Sequence, residues 1–149
     1  MPLIVKWPGV TQAGSVCREP VNSIDFYRTI LEMSGLSGNA THNAEVDGLS
    51  LVPLLKNAGA TLDREALYWH YPHYYPTTSP VSSIRQGQWK LLEYFEDSRV
   101  ELYNLKSDTT EEKDLAGKMP ERAEELRMRL DTWRKAVNAQ MPTRNSRSE

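Results

Sequence analysis

The sequence predicts an α+β fold: a four-stranded, mostly antiparallel sheet with a long C-terminal helix, preceded by one strand and helices. Three observations carry that prediction. Between Ala66 and Leu105, four short segments rich in aromatic and apolar residues follow one another, separated by turn chemistry. From Pro120 to Ala139, apolar residues recur in steps of three and four, the spacing of a helix with one buried stripe. Near the start, Leu3–Trp7 is a short apolar run closed by Pro8-Gly9, the pattern of a buried strand. The predicted division is residues 1–60, residues 61–142 for the sheet and its helix, and a disordered tail over 143–149.

Taken in order, Leu3–Trp7 leads through a polar connector, Thr11–Pro20, into a helix over Ser23–Ser34. Asn22 is placed to cap it, with Asp25 at its third position, and Val21 and Phe26 are spaced to staple its start. Ile24, Tyr27, Ile30 and Leu31 form one apolar face, and Gly35 is placed to end the helix. Leu36–Val46 is predicted to be a loop. Ser50 then caps a short helix running to Asn57, with Pro53 tolerated in its first turn. Ala66–Tyr71 is the first strand of the sheet, ended by Pro72, which lacks a backbone donor. Turn and loop chemistry follows to Pro80. Val81–Arg85, Gln88–Phe95 and Arg99–Leu105 are the next strands, with Gln86-Gly87 as the tight connection between the first two. Along Gln88–Phe95, Trp89, Leu91, Glu93 and Phe95 share one face, and Lys90, Leu92 and Tyr94 the other. In the last helix, Ala123, Leu126, Leu130, Trp133 and Val137 make the stripe. Glu121, Glu124 and Glu125 suit its positive end, and Arg134 and Lys135 its negative end.

Composition narrows the function classes. A net charge of −2 over 149 residues offers no basic field for nucleic acid, and no apolar run is long enough to span a bilayer. Residues 1–7 lack the charge placement and apolar length of a signal peptide. The single cysteine, Cys17, forbids an intrachain disulfide. Asn39-Ala40-Thr41 matches the glycosylation sequon, which has meaning only in a eukaryotic secretory setting.

The chemistry-bearing stretch is Ala66–Pro76, Ala-Leu-Tyr-Trp-His-Tyr-Pro-His-Tyr-Tyr-Pro, where a strand delivers histidines and tyrosines into a loop. An aromatic core strand with a surface loop accounts for the same residues. There is no nucleophile elbow, phosphate-cradling glycine loop, paired-cysteine zinc pattern or His-Glu-x-x-His. The i, i+3 spacing of His70 and His73 across a proline does not make a metal pair, and Glu111-Glu112 lacks the spacing of a calcium loop. The residues alone therefore predict no catalytic and no metal-binding constellation.

The order of segments resembles the C-terminal portion of the sulfatase family, within the alkaline-phosphatase-like superfamily. The matching pieces are Pro2–Gly9, Pro20–Gly35, Asp47–Leu55, the aromatic stretch, Ser83–Leu91 and Glu101–Leu105, covering nearly the whole chain. The resemblance implies hydrolysis of sulfate esters, often on carbohydrates or aryl sulfates. The family uses a formylglycine made from a C-x-[PA]-S-R motif and a calcium ion held by Asp and Asn oxygens. Both are expected upstream, in an N-terminal catalytic domain that would be this chain's partner. Cys17-Arg18-Glu19-Pro20-Val21 is not that motif. Residues 1–60 then become the remnant of the large α/β domain, and Leu3–Trp7 a late strand of its sheet. Leu3–Trp7 and the apolar face of the first helix would pack on that domain, leaving an exposed patch without it. The resemblance further implies a periplasmic or secreted setting. In a complete enzyme of this kind His70, His73, Tyr74 and Arg85 are expected near the rim of the substrate cleft, as donors to sulfate or sugar hydroxyls; the alternative for His70 is a core residue, since alternation puts it opposite Trp69 and one of the two must face inward. Two other readings are a stand-alone module binding sulfated glycan, and a piece of a related phosphodiesterase or phosphonate hydrolase.

Overall fold

The computed structural model describes residues 2–143. It divides into two compact units, Met1–Asp63 and Arg64–Glu149.

The first unit holds a 3-10 turn, Ser23–Asp25, that runs into α1, Phe26–Met33, and two short helices, α2, Ala40–Glu45, and α3, Val52–Lys56. Gly35, at φ +66°, terminates α1 in the left-handed conformation that glycine adopts without penalty. Inside this unit Leu51, Val52 and Leu54 are buried along with a polar network. Asp25 is fully buried: its Oδ2 accepts from the Asn22 backbone N at 2.8 Å and its Oδ1 from the Leu49 N at 3.0 Å. Thr29 Oγ1 donates to the Asp25 carbonyl at 2.7 Å and accepts from the Leu51 N at 2.9 Å. Gly48 lies where a Cβ would fall 2.0 Å from the Ile24 carbonyl oxygen, so only glycine allows this segment to approach the 3-10 turn so closely. Arg28 donates to the carbonyls of Asn43 and Val46 at 2.8 and 3.0 Å.

Three expectations for this unit are corrected. Leu3–Trp7 is not a strand, and Ile4 is 92% exposed. A strand needs a neighbour to take its backbone hydrogen bonds, and the described residues of this unit provide no strand to pair with it. The predicted loop Leu36–Val46 contains α2, whose cap is Asn39: its side-chain oxygen accepts from His42 N at 3.0 Å. The single early helix begins as a 3-10 turn, and the residues it buries are Asp25 and Thr29, while Ile24 and Ile30 stand open at 46% and 60%.

The second unit is a four-stranded antiparallel meander with strand order β1-β2-β3-β4: β1, Leu67–Tyr71; β2, Val81–Gln86; β3, Trp89–Tyr94; β4, Val100–Asn104. One helix, α4, Pro120–Ala136, follows. Gln86 pairs with Trp89, so the tight connection is Gly87-Gln88, one residue later than predicted, with Gly87 at φ +57°. Cross-strand partners Ile84, Leu91 and Leu102 are wholly buried and pack with Ala123, Leu126 and Leu130 of α4. Tyr68 and Trp133 stack at 4.9 Å on the same core. Val137, predicted to extend the stripe, lies beyond the helix end and is exposed.

Two features of this core break the apolar pattern. Glu93 shares the buried face with Leu91, and its Oε2 lies 2.7 Å from an Arg134 guanidinium nitrogen while its Oε1 accepts from Arg127 Nε at 2.8 Å. Arg134 lies in the last turn of α4, as predicted, and is also buried, 5.5 Å from the centre of the Phe95 ring. The β4 edge is also closed: Leu102 N donates to Asp114 Oδ1 at 3.0 Å and its carbonyl accepts from Leu115 N at 2.8 Å. Of the predicted disordered tail, residues 144–149 lie outside the described residues.

Candidate functional site

The sheet places the aromatic loop at one end of the β1–β2 ladder, where Tyr71 pairs with Val81. Pro72 ends β1 by withholding a donor, and the chain then folds on itself: Tyr75 and Thr78 exchange backbone hydrogen bonds at 3.0 and 3.1 Å across Pro76-Thr77. The far side is tied down where Phe95 N donates to the Pro80 carbonyl at 2.9 Å. On this frame Tyr71 meets His73 edge-on at 5.6 Å and Tyr75 edge-on at 6.3 Å. Tyr74 and Tyr75 are 71% and 60% exposed. The arrangement offers aromatic faces, phenol hydroxyls and an exposed imidazole on a short, braced loop, a set able to hydrogen-bond hydroxyl and sulfate oxygens.

His70 is differently placed. It lies on the helix-facing side of β1, with Nδ1 2.6 Å from Ser82 Oγ and Nε2 2.7 Å from the Gln140 carbonyl. A carbonyl only accepts, so Nε2 carries the proton, and in the neutral ring Nδ1 accepts from the serine hydroxyl. The ring also meets Phe95 edge-on at 5.7 Å. His70 thus has both nitrogens engaged and joins the base of the loop to the segment after α4. Arg85 lies on the opposite face of the sheet, in register with Leu67 and Lys90, at the other end of the ladder from the loop. The structure therefore brings His73 and Tyr74 together in the loop, puts His70 beneath them in a supporting position, and sets Arg85 apart.

Sequence reasoning missed His70's two partners. Ser82 could have been found, since period-2 alternation puts it on the inward face of β2, across from His70. Gln140, seventy residues along, carries no local signal.

On that opposite face a second tyrosine cluster surrounds Glu101. Its Oε2 accepts from Tyr103 and Tyr94 hydroxyls at 3.1 and 3.2 Å, and Arg99 pairs with its other oxygen. Burial, reinforced by the hydrogen bond to the Glu101 carboxylate, pushes the Tyr103 phenol well above its ordinary value.

Among the described residues no three His, Cys, Asp or Glu side chains group to hold a metal. Cys17 is exposed in a sequence context that is not the formylglycine motif. These residues fit neither calcium nor a formylglycine.

Fold and sequence together define a sulfatase C-terminal domain. The model of the family described as N-sulphoglucosamine sulphohydrolase, C-terminal, matches residues 1–137, and the chain belongs to the sulfatase family. It is similar to a sulfatase of Formosa agariphila, 33% identical over 128 residues, covering 80% of this chain and 23% of that protein. It is equally similar to an N-acetylglucosamine-6-O-sulfatase of Bacteroides thetaiotaomicron, 33% identical over 124 residues, covering 79% of this chain and 21% of that protein. Among solved structures, one determined in complex with its substrate D-glucosamine-2-N,6-O-disulfate matches with a TM-score of 0.75 and 28% identity, over 93% of this chain and 29% of that one. The chain thus spans less than a quarter of the length of these two curated relatives.

Proposed function

We propose that this chain is the C-terminal domain of an enzyme that hydrolyses sulfate esters on a sulfated amino sugar, and that its aromatic loop contacts the glycan. Support for the substrate class comes from the relatives, one named for a glucosamine 6-O-sulfate and one solved with a disulfated glucosamine. The observation that carries the loop's role is the exposure of His73, Tyr74 and Tyr75 on a braced turn at the end of the sheet. In this reading the portion that the relatives have beyond this chain supplies the formylglycine nucleophile and the calcium ion. His73 and Tyr74 supply hydrogen bonds that hold the sugar, His70 keeps the loop's base in place, and Arg85 contacts anionic groups farther from the reacting ester.

The experiment has two arms. The isolated chain, assayed on an aryl sulfate with calcium, is expected to show no turnover; activity that survives Cys17→Ala and contaminant controls contradicts the division of labour. In a protein carrying both portions, His73→Ala is expected to lower kcat/KM on a sulfated glucosamine about tenfold, the scale of one hydrogen bond to a charged group, while sparing a small aryl sulfate. Equal loss on both substrates moves His73 to the sulfate or to folding, and no loss on either removes it from the site.

A further inference from the structure

The face of the sheet away from α4 carries a groove that the aromatic loop does not reach. It is an open depression of about 350 Å³ lined by Trp69, Ser83, Arg85, Lys90, Leu105 and Glu111. Three adjacent strands build it. Trp69 of β1 pairs with Ser83 of β2, and Arg85 of β2 pairs with Lys90 of β3. Trp69 is 40% exposed, although tryptophan is highly buried on average.

The charges in the groove are unevenly satisfied. Lys90 is committed: its Nζ meets both oxygens of Glu111 at 2.7 Å. Glu111 holds that position from a left-handed backbone, φ +59°, a conformation that costs a non-glycine residue energy and recurs where function demands it. Arg85 has no carboxylate within ion-pair distance among the described residues, and its Nε donates to the Gly87 carbonyl at 3.4 Å. Its two terminal nitrogens remain open as a planar fork, the geometry that takes a carboxylate or sulfate through two parallel hydrogen bonds.

We infer that this groove is a second binding site, for an anionic saccharide, in which Arg85 clamps a sulfate or carboxylate group, Trp69 lies against a sugar face and the Ser83 hydroxyl hydrogen-bonds a ring substituent. The inference rests on the proposed function for the class of ligand and for the anion contact of Arg85; the groove itself rests on its lining residues. In a longer substrate chain it would hold a sugar remote from the one being desulfated, raising affinity without touching the reacting ester.

The test uses the whole chain, labelled with nitrogen-15, and three probes: a heparin tetrasaccharide, a hyaluronan tetrasaccharide carrying carboxylates but no sulfate, and uncharged chitotetraose. The expected result is that heparin tetrasaccharide shifts the Trp69 indole N–H and the Ser83 amide, that Arg85→Gln weakens this binding about tenfold, and that Arg85→Lys, which keeps charge but loses the fork, gives an intermediate loss. Binding of hyaluronan tetrasaccharide as well identifies carboxylate as a sufficient anion; binding of heparin alone identifies sulfate. His73→Ala should leave the groove shifts unchanged, so failure of the aromatic loop and failure of the groove are separable. Equal binding of chitotetraose, shifts confined to residues 71–80, or unaltered affinity in a folded Arg85→Gln protein would each overturn the inference.

Discussion

The two units differ in how much aliphatic side chain they bury. In Arg64–Glu149, a meander and a helix close over aliphatic side chains: Ile84, Leu91, Leu102, Leu126 and Leu130 are all at 0% exposure. In Met1–Asp63, a smaller aliphatic set, Leu51, Val52 and Leu54, is buried along with a carboxylate, Asp25, and the segment around Gly48 is held by hydrogen bonds to Asp25 and Thr29. Much of that unit's apolar surface faces outward, with Ile4 at 92%, Val16 at 73%, Leu36 at 63% and Ile30 at 60%. A buried aliphatic layer stabilises a unit on its own. Polar ties specify a shape, but each hydrogen bond adds only about 1 kcal/mol net. The difference implies that the sheet unit is the more stable of the two, and that the first unit presents a surface suited to packing on further protein.

Breaking that comparison should have its largest effect at the buried Glu93–Arg134 pair of the sheet unit. Arg134→Ala leaves Glu93 largely buried with only Arg127 beside it, and should cost about 3–5 kcal/mol in urea unfolding of the sheet unit. Replacing both, Glu93→Leu with Arg134→Met, should recover most of that loss. A double variant as unstable as the single would show the pair to be worth more than an apolar filling.

Leu126→Ala comes next, with a loss of about 2–5 kcal/mol for truncating a wholly buried side chain. Asp25→Ala in the other unit should cost about 1–3 kcal/mol, from two backbone N–H donors left without their acceptor. Its effect should stay within the first unit and appear as faster proteolysis around Gly48, with the melting of the sheet unit unchanged.

A pH effect sharpens the same contrast. The Tyr103 phenol is raised above its ordinary value of 10.0, by burial first and by the Glu101 carboxylate second. An acid whose folded pKa is raised contributes stability that is complete below its unfolded pKa and lost as pH climbs from there toward the folded value. The sheet unit should therefore weaken as pH rises past about 10, and Tyr103→Phe should flatten that loss, as followed by circular dichroism.

Much of the sheet unit was legible in the sequence because its elements obey their own periods. Leu91 and Glu93 fall on one face of β3 by simple alternation, and Leu126 and Leu130 fall on one stripe of α4. The first unit was less legible for the same physical reason that makes it different. Leu3–Trp7 has strand composition, but strand structure depends on a partner that its own residues cannot specify. The α2 helix carries almost no apolar residues, so its one local sign was Asn39 at the cap. In the candidate site, exposure of the His73 loop followed from Pro72 and the turn residues. The engagement of His70 by Gln140 depended on where the chain returns after α4, which no local pattern records.

The most direct test of the contrast is native-state hydrogen exchange on the whole chain, read residue by residue. The account predicts that amides of β2, β3 and the Leu126–Leu130 turn of α4 exchange only through the highest-energy opening, while those of α1 and the Leu49–Leu51 segment exchange through a distinct opening of lower energy. A single shared opening energy for both sets of amides, or greater protection in α1 than in β3, would contradict it.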